Sequence, residues 1–166
     1  QTLTYSILSG NTDNAFAINA LTGVLTVSNT TALNYETTPS FVLAVKVQDN
    51  GTGSLSNQAT VTLSLTNVNE LPQIANQSFS VPENSANGTL VGTVVATDPD
   101  AGQTLTYSIL SGNTSNAFAI NASTGALTVS NTTALNYEVT PSFALVVKVQ
   151  DNGTGSLSNQ ATVTVN

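Results

Sequence analysis

The sequence predicts an all-β protein, an antiparallel β-sandwich with about seven short strands in each repeat of 102 residues. Apolar and polar side chains alternate in short runs that turn residues separate, and no segment has helical periodicity. The chain also repeats itself: residues 1–64 align with residues 103–166 at an offset of 102, with eight mismatches and therefore 56 identical positions among 64. A repeat of this length is the size of a small sandwich domain.

The strands of the first copy follow from this alternation. Residues 2–8 predict the first strand, and residues 16–27 predict two short strands joined by a turn that contains glycine. Residues 40–48 and 58–65 complete the five strands of this copy. Alternate residues share a face of a strand, which defines a predicted core. Its members are Leu3, Tyr5, Ile7, Phe16, Ile18, Leu25, Val27, Phe41, Leu43, Val45, Val47, Ala59, Val61, Leu63 and Leu65.

The segment between the two copies has no upstream counterpart and predicts two further strands, around residues 79–81 and 91–96. The first copy therefore lacks the two strands that this segment supplies to the second. The predicted organisation is a partial repeat at 1–66, an interdomain linker at 67–72 and a nearly complete repeat at 73–166.

Composition excludes several functional classes. The chain has no His and no Cys, which excludes a Ser-His-Asp triad, a cysteine nucleophile, a zinc site and a disulfide scaffold. It has two Lys, no Arg and a net charge of −7, so nucleic acid and acidic membranes are poor partners. No apolar run approaches the ~18 residues of a membrane helix, so membrane insertion is not expected.

The acidic residues are unevenly placed. Eight of the nine lie at strand ends or between the repeats, each beside a turn signal. Such clustering suits a hard divalent cation, which needs several oxygen ligands. The alternative is that they are turn-forming aspartates and ordinary surface glutamates. The nine acids are Asp13, Glu36, Asp49, Glu70, Glu83, Asp98, Asp100, Glu138 and Asp151.

Five short motifs stand in a characteristic order. They are VPEN at 81–84, ATDPD at 96–100, FAIN at 118–121 followed by TGAL at 124–127, LNYE at 135–138 and VQD at 149–151. In order and spacing they resemble a cadherin repeat, and TNVNELP at 66–72 lies where cadherins have their linker. The version rich in Thr and Asn resembles the cadherin-like repeats of large bacterial surface proteins.

The resemblance implies an immunoglobulin-like Greek-key sandwich and Ca²⁺ bound at the junction between successive repeats. The ligands it implies are Glu36, Asn67, Asn69, Glu70, the Leu71 backbone carbonyl, Asp98, Asp100 and Asp151. By the same resemblance, Asp49 serves the preceding junction, and Glu83 and Glu138 serve the next.

This sequence departs from the cadherin pattern at three positions in or beside these motifs. Asn34 and Asn67 replace aspartates, and Leu71 replaces an asparagine. Because ligand charge tunes calcium affinity, we expect one or two weakly bound ions. The most complete set comprises Asn69, the Leu71 carbonyl, Asp98, Asp100 and Asp151.

These features favour a calcium-stiffened structural or adhesive repeat of a long extracellular protein at the cell surface, with neighbouring repeats as its first partners. The alternative is a carbohydrate- or protein-binding module that accompanies polysaccharide-degrading domains, although the sequence offers no exposed aromatic platform. An enzyme is not expected. Asp98 and Asp100 project from one loop rather than across a sugar cleft, and neither Lys46 nor Lys148 stands beside a serine nucleophile motif.

A sandwich that lacks two strands leaves apolar residues such as Phe16, Leu43 and Val45 partly uncovered. We therefore expect the first repeat either to be poorly ordered or to associate. Association is favoured, as a homophilic or strand-exchanged homo-oligomer in which chains exchange residues 73–97.

Overall fold

The computed structural model describes all 166 residues and divides into two compact units, residues 1–68 and residues 69–166. The predicted all-β class is confirmed. The only helices are four short 3₁₀ turns, and none of them has the length and apolar character needed to cross a membrane. These turns are Thr12–Asn14, Thr30–Ala32, Thr114–Asn116 and Thr132–Ala134.

Unit 1 has five strands in two small sheets, ordered β1-β4-β5 and β2-β3. The strands are β1 (Leu3–Ser9), β2 (Phe16–Ile18), β3 (Leu25–Val27), β4 (Ser40–Asp49) and β5 (Ser56–Ser64). The rings of Phe16 and Phe41 pack edge to face with centroids 5.0 Å apart, and Ala15 and Leu43 complete the fully buried part of this core.

Unit 2 is a β-sandwich, as predicted. One sheet has the order β10-β13-β14-β7, a second has the order β11-β12-β8, and β6 pairs with β9. Its strands are β6 (Gln73–Ile74), β7 (Gln77–Phe79), β8 (Leu90–Thr93), β9 (Ala96–Thr97), β10 (Thr106–Ser111), β11 (Phe118–Ile120), β12 (Ala126–Val129), β13 (Phe143–Gln150) and β14 (Ser158–Val165).

The core of unit 2 is built on the alternation along β13. Phe143, Leu145, Val147 and Val149 are buried, while the residues between them face outward. The Phe143 ring meets the Phe118 ring of the other sheet edge to face, with centroids 5.0 Å apart. The two sheets therefore close on one apolar layer.

The predicted core of unit 1 is only partly correct. Leu3 and Val27 are 47% and 51% exposed, and Ala59 is also exposed. Val27 and Ala59 correspond to Val129 and Ala161 of unit 2, which are buried. The residue types suit a core, but in unit 1 no further strand covers them.

The sequence predicts two strands between the copies, whereas the structure has four shorter ones, β6 to β9. Val81, which belongs to the first predicted strand, lies outside any strand. The predicted strand at 91–96 breaks at Val94 and Val95. The Val95 N–H donates to Gln77 Oε1 at 3.0 Å, and the Val95 carbonyl accepts from Gln77 Nε2 at 2.9 Å. The Gln77 side chain thus makes the hydrogen bonds to the backbone that a neighbouring strand would otherwise make.

Gly112 enables a bulge in unit 2. The register between β10 and β13 shifts between Ile109 and Ser111, and Gly112 follows with φ of +81°. A Cβ at Gly112 would overlap the carbonyl oxygen of Ala144. Both the backbone conformation and the close approach therefore require glycine.

We predict that Gly112→Ala destabilises unit 2 by more than the roughly 1–2 kcal/mol that a left-handed alanine costs, because the new methyl group also meets backbone. Gly102→Ala is the matched control, since Gly102 has φ of +82° and nothing within 4 Å of its Cβ position. Urea denaturation followed by circular dichroism measures both. Equal losses of stability would contradict the steric argument.

Candidate metal centre

The pairing of β6 with β9 brings distant polar residues to one end of unit 2. Gln73 is opposite Thr97 in this antiparallel pair, so the residues before β6 and those after β9 lie at the same end. The Asn159 side chain, near the start of β14, donates to the Pro72 carbonyl at 3.1 Å. The loop between β13 and β14 therefore reaches the same place.

Five predicted ligands meet at this end, which we call the acidic end: Asn69, Glu70, Asp98, Asp100 and Asp151. The Asn69 amide donates to Asp151 Oδ2 at 3.0 Å. The backbone N–H of Glu70 donates to Asp100 Oδ2 at 2.9 Å, and the Asp100 N–H donates to Asp98 Oδ1 at 2.9 Å. The structure thus brings together residues separated by up to 82 positions in the chain.

The carboxylates of the acidic end are withdrawn from water. Asp100 and Asp151 are each 4% exposed, and Glu70 and Asp98 are half-buried. The two lysines of the chain, Lys46 and Lys148, donate to the side chains of glutamines 48 and 150 instead. Buried like charges repel one another strongly, so this arrangement favours a bound cation.

The Asp151 side chain also organises the loop that follows β13. Its Oδ1 accepts hydrogen bonds from the backbone N–H groups of Gly153 at 3.1 Å and Leu157 at 2.9 Å. A Cβ at Gly153 would overlap the Asn69 amide, so glycine leaves room for Asn69. Asp151 is therefore held in place by its loop before any ligand binds.

Sequence reasoning missed one residue of the acidic end, Gln103. Its amide nitrogen donates to Asn69 Oδ1, and its Oε1 is buried without a hydrogen-bond partner. Its position three residues after Asp100 was the only signal in the sequence. Glutamine is too common as an ordinary polar residue for that signal to be specific.

The acidic end fits a hard divalent cation. Asp98 Oδ2 is buried and, like Gln103 Oε1, has no hydrogen-bond partner. A buried acceptor without a partner is costly, and a metal ion that takes oxygen ligands would satisfy both atoms. Every candidate ligand atom here is a carboxylate or amide oxygen. Ca²⁺ binds through such oxygen atoms, whereas softer metals do not prefer them.

The remaining predicted ligands of this junction are Leu71, Asn67 and Glu36. The Leu71 side chain is aliphatic and 53% exposed, and because it carries no oxygen, the backbone carbonyl is the only atom of Leu71 that could bind a cation. Asn67 and Glu36 belong to unit 1, where Asn67 is exposed. Both carboxylate oxygens of Glu36 are buried and make no hydrogen bond.

The residues predicted for neighbouring junctions are Asp49, Glu83 and Glu138. Asp49 repeats the loop contacts of Asp151 in unit 1, accepting from Gly51 N–H at 3.0 Å and Leu55 N–H at 3.1 Å. Glu83 accepts from the Tyr137 N–H at 3.2 Å, next to the exposed Glu138. The structure therefore places Glu83 beside the LNYE motif that contains Glu138.

Comparison with known proteins finds similar chains. The family model of the cadherin domain matches residues 1–66 and 77–166. Protocadherin Fat 4 of Mus musculus is 37% identical over 169 residues, which cover 97% of this chain and 3% of that protein. Cadherin-23 of Rattus norvegicus is 34% identical over 153 residues, which cover 89% of this chain and 5% of that protein. The chain thus spans a small fraction of the curated relatives it matches.

Solved structures are also similar to this chain. The crystal structure of mouse cadherin-23 EC22-24 matches 99% of this chain and 52% of that chain, with a TM-score of 0.73 and 29% identity. The human desmocollin-1 ectodomain matches 100% of this chain and 33% of that chain, with a TM-score of 0.61 and 26% identity. These relatives are animal proteins, so the comparisons do not support the bacterial origin that the composition suggested.

We predict that Asp151→Ala lowers the stability of unit 2 even without metal, by about 1–3 kcal/mol, because the loss of the acceptor of three donors outweighs the relief of repulsion between carboxylates. The donors are Gly153 N–H, Leu157 N–H and the Asn69 amide. The control is Asp13→Asn, at an exposed position that is Ser115 in the second copy. Thermal unfolding in chelator measures both variants. An unchanged melting temperature for Asp151→Ala would contradict this structural role.

Proposed function

Because this chain belongs to the cadherin family, we propose that it is a calcium-binding structural or adhesive repeat of a long extracellular protein. Its relatives are many times longer, which suits a segment of a repeat array. Neighbouring repeats of the same chain are then its first partners. The solved neighbours include a cis-dimer of protocadherin gammaB7, which supports association between copies as part of this proposal.

One observation carries the calcium proposal: the acidic end contains the buried carboxylates of Asp100 and Asp151 and a buried Asp98 oxygen that no donor satisfies. Asn69 and Glu70 add oxygen donors from the segment that precedes β6. The Leu71 carbonyl enters the proposal from its position in the linker motif.

The protein itself orients the proposed carboxylate ligands before Ca²⁺ binds. Backbone N–H groups donate to Asp98, Asp100 and Asp151 and so orient these three carboxylates. A bound Ca²⁺ supplies the positive charge that offsets their repulsion. Ordered ligands of this kind bind with less loss of conformational entropy than mobile ones.

Stiffening of the junction is the mechanical part of the proposal. Glu36 and Asn67 enter it from their positions in the LNYE and linker motifs, and both belong to unit 1. Ligands drawn from two units and the segment between them restrict the angle between the units. Asp49, Glu83 and Glu138 are proposed for the junctions with further repeats.

The departures from the cadherin pattern at Asn67 and Leu71 favour one or two weakly bound ions. A carbohydrate-binding role receives no support from the comparisons, whose named relatives are cadherins and protocadherins. An extracellular location is part of the same proposal, because the solved neighbours are described as ectodomains and extracellular domains.

We predict that Asp100→Asn weakens calcium binding by about tenfold or more, because it removes one charge from a buried member of the ligand set. Calorimetric titration of Ca²⁺ into the metal-free 166-residue chain measures the dissociation constant. Asp13→Asn is the control, with the same charge change at an exposed residue outside the ligand set. If both substitutions weaken binding equally, the acids act through net charge alone.

Calcium is also expected to raise stability by mass action, by about 2.7 kcal/mol at a free concentration 100 times the dissociation constant. Each sandwich should remain folded in chelator, because its core is apolar. Small-angle scattering should show a narrower range of shapes with calcium than without it. Identical melting and scattering in calcium and chelator would rule out the junction proposal.

A further inference from the structure

Gln103 lies at the acidic end, although none of the sequence motifs includes it. It stands three residues after Asp100, in the loop that joins β9 to β10. Asp98 and Asp100 precede it in the same loop, and the Asp100 N–H donates to Asp98 Oδ1 at 2.9 Å. One loop therefore carries two of the proposed carboxylate ligands and an amide side chain.

The two ends of the Gln103 amide have different surroundings. Its Nε2 nitrogen donates a hydrogen bond to Asn69 Oδ1. Its Oε1 oxygen is buried and accepts no hydrogen bond. An amide oxygen is a good hydrogen-bond acceptor in water, so its burial without a partner is costly unless a ligand replaces the lost water.

A relay of hydrogen bonds determines which end of the Gln103 amide is free. The Asn69 side chain donates through Nδ2 to Asp151 Oδ2 at 3.0 Å. An ionised carboxylate accepts hydrogen bonds and donates none, so the nitrogen of Asn69 faces Asp151 and its oxygen faces Gln103. The Gln103 nitrogen then faces that oxygen, which leaves Oε1 as the free atom.

The surrounding backbone holds Gln103 in this position. The N–H of Thr104, the next residue, donates to Asn152 Oδ1 at 2.8 Å, which ties the loop between β9 and β10 to the loop that follows Asp151. A Cβ at Gly153 would overlap the side-chain amides of both Asn69 and Gln103. Glycine at this position therefore leaves room for the two amides.

The side chains of the protein supply no positive charge to the free oxygen. The two lysines, Lys46 and Lys148, donate to the side chains of Gln48 and Gln150, and the chain has no Arg and no His. Asp98 Oδ2, in the same loop as Gln103, is also buried without a donor. A bound cation would compensate both oxygens.

We propose that Gln103 is a further calcium ligand, which binds through Oε1 while its Nε2 fixes the orientation of Asn69. This inference rests on the proposed calcium function and adds one residue to its ligand set. Because an amide is neutral, it adds an oxygen to the coordination of the ion without adding to the repulsion among the carboxylates. Gln103 is thus both a ligand and a positioning residue for its neighbour.

Nuclear magnetic resonance of the 166-residue chain, labelled with ¹³C and ¹⁵N, tests direct binding during a titration with Ca²⁺. A cation on a carbonyl oxygen withdraws electrons from the carbonyl carbon, so the side-chain carbonyl resonance of Gln103 should shift downfield as the site fills. Its loss in the Gln103→Met variant assigns the resonance. The side-chain carbonyl of Gln58, which is exposed on β5 of unit 1, should not shift.

Two substitutions separate a ligand from a purely structural residue. Gln103→Met removes both polar atoms of the amide and should raise the calcium dissociation constant about tenfold in calorimetric titration. Gln103→Glu keeps an oxygen and adds a charge, but it loses the N–H that bonds to Asn69. It should bind Ca²⁺ at least as tightly as the wild-type chain, because ligand charge raises calcium affinity.

Matched substitutions at Gln58 control for the chemical changes themselves. Gln58 is exposed and belongs to no proposed ligand set. Gln58→Met and Gln58→Glu should both leave the calcium dissociation constant unchanged. If Gln58→Glu strengthened binding as much as Gln103→Glu, the effect would be one of net charge and the proposal would fail.

Two further results would overturn the proposal and leave the calcium function intact. One is a Gln103 carbonyl resonance that does not move while the wild-type chain binds Ca²⁺, and this reading needs no variant to fold. The other is equal weakening by Gln103→Met and Gln103→Glu, since both lack the N–H donor and a purely structural role depends on that donor alone. Absence of calcium binding by the wild-type chain would refute the proposed function itself, and this inference with it.

Discussion

Each unit depends on the burial of one face of its central strand. In unit 2 that strand is β13, whose alternate residues from Phe143 to Val149 are fully or nearly fully buried. This burial fixes the register of the strand in its own sheet and its position against the other sheet. Asp151 follows two residues after Val149, so the packing of the core also determines where its carboxylate lies.

The acidic end shows how a fold can hold groups that repel one another. Backbone N–H groups of Glu70, Asp100 and Leu157 each donate to a carboxylate, and these bonds offset part of the cost of burial. Asp98 Oδ2 and Gln103 Oε1 receive no such donor. The resulting array of oxygens is preorganised, and a cation is the ligand that its chemistry suits.

Because the two copies have nearly the same sequence, a comparison of the two units separates the effect of the sequence from the effect of the strands that cover the core. The edge-to-face phenylalanine pair has the same centroid separation, 5.0 Å, in both units. The exposure of Val27 and Val129 nevertheless differs greatly. Local packing is therefore a property of the repeated sequence, whereas complete burial depends on a segment that only unit 2 has.

The sequence by itself determined the strand class, the repeat and the loops that carry the acids, because period-two alternation and turn residues are local signals. Tertiary structure alone decided that Asn69 meets Asp151, that Gln103 joins them, and that the strand at 91–96 breaks at Val95. It also decided that Val27 stays exposed. These outcomes depend on which distant segments pack together, and alternation along one strand carries no information about its neighbours.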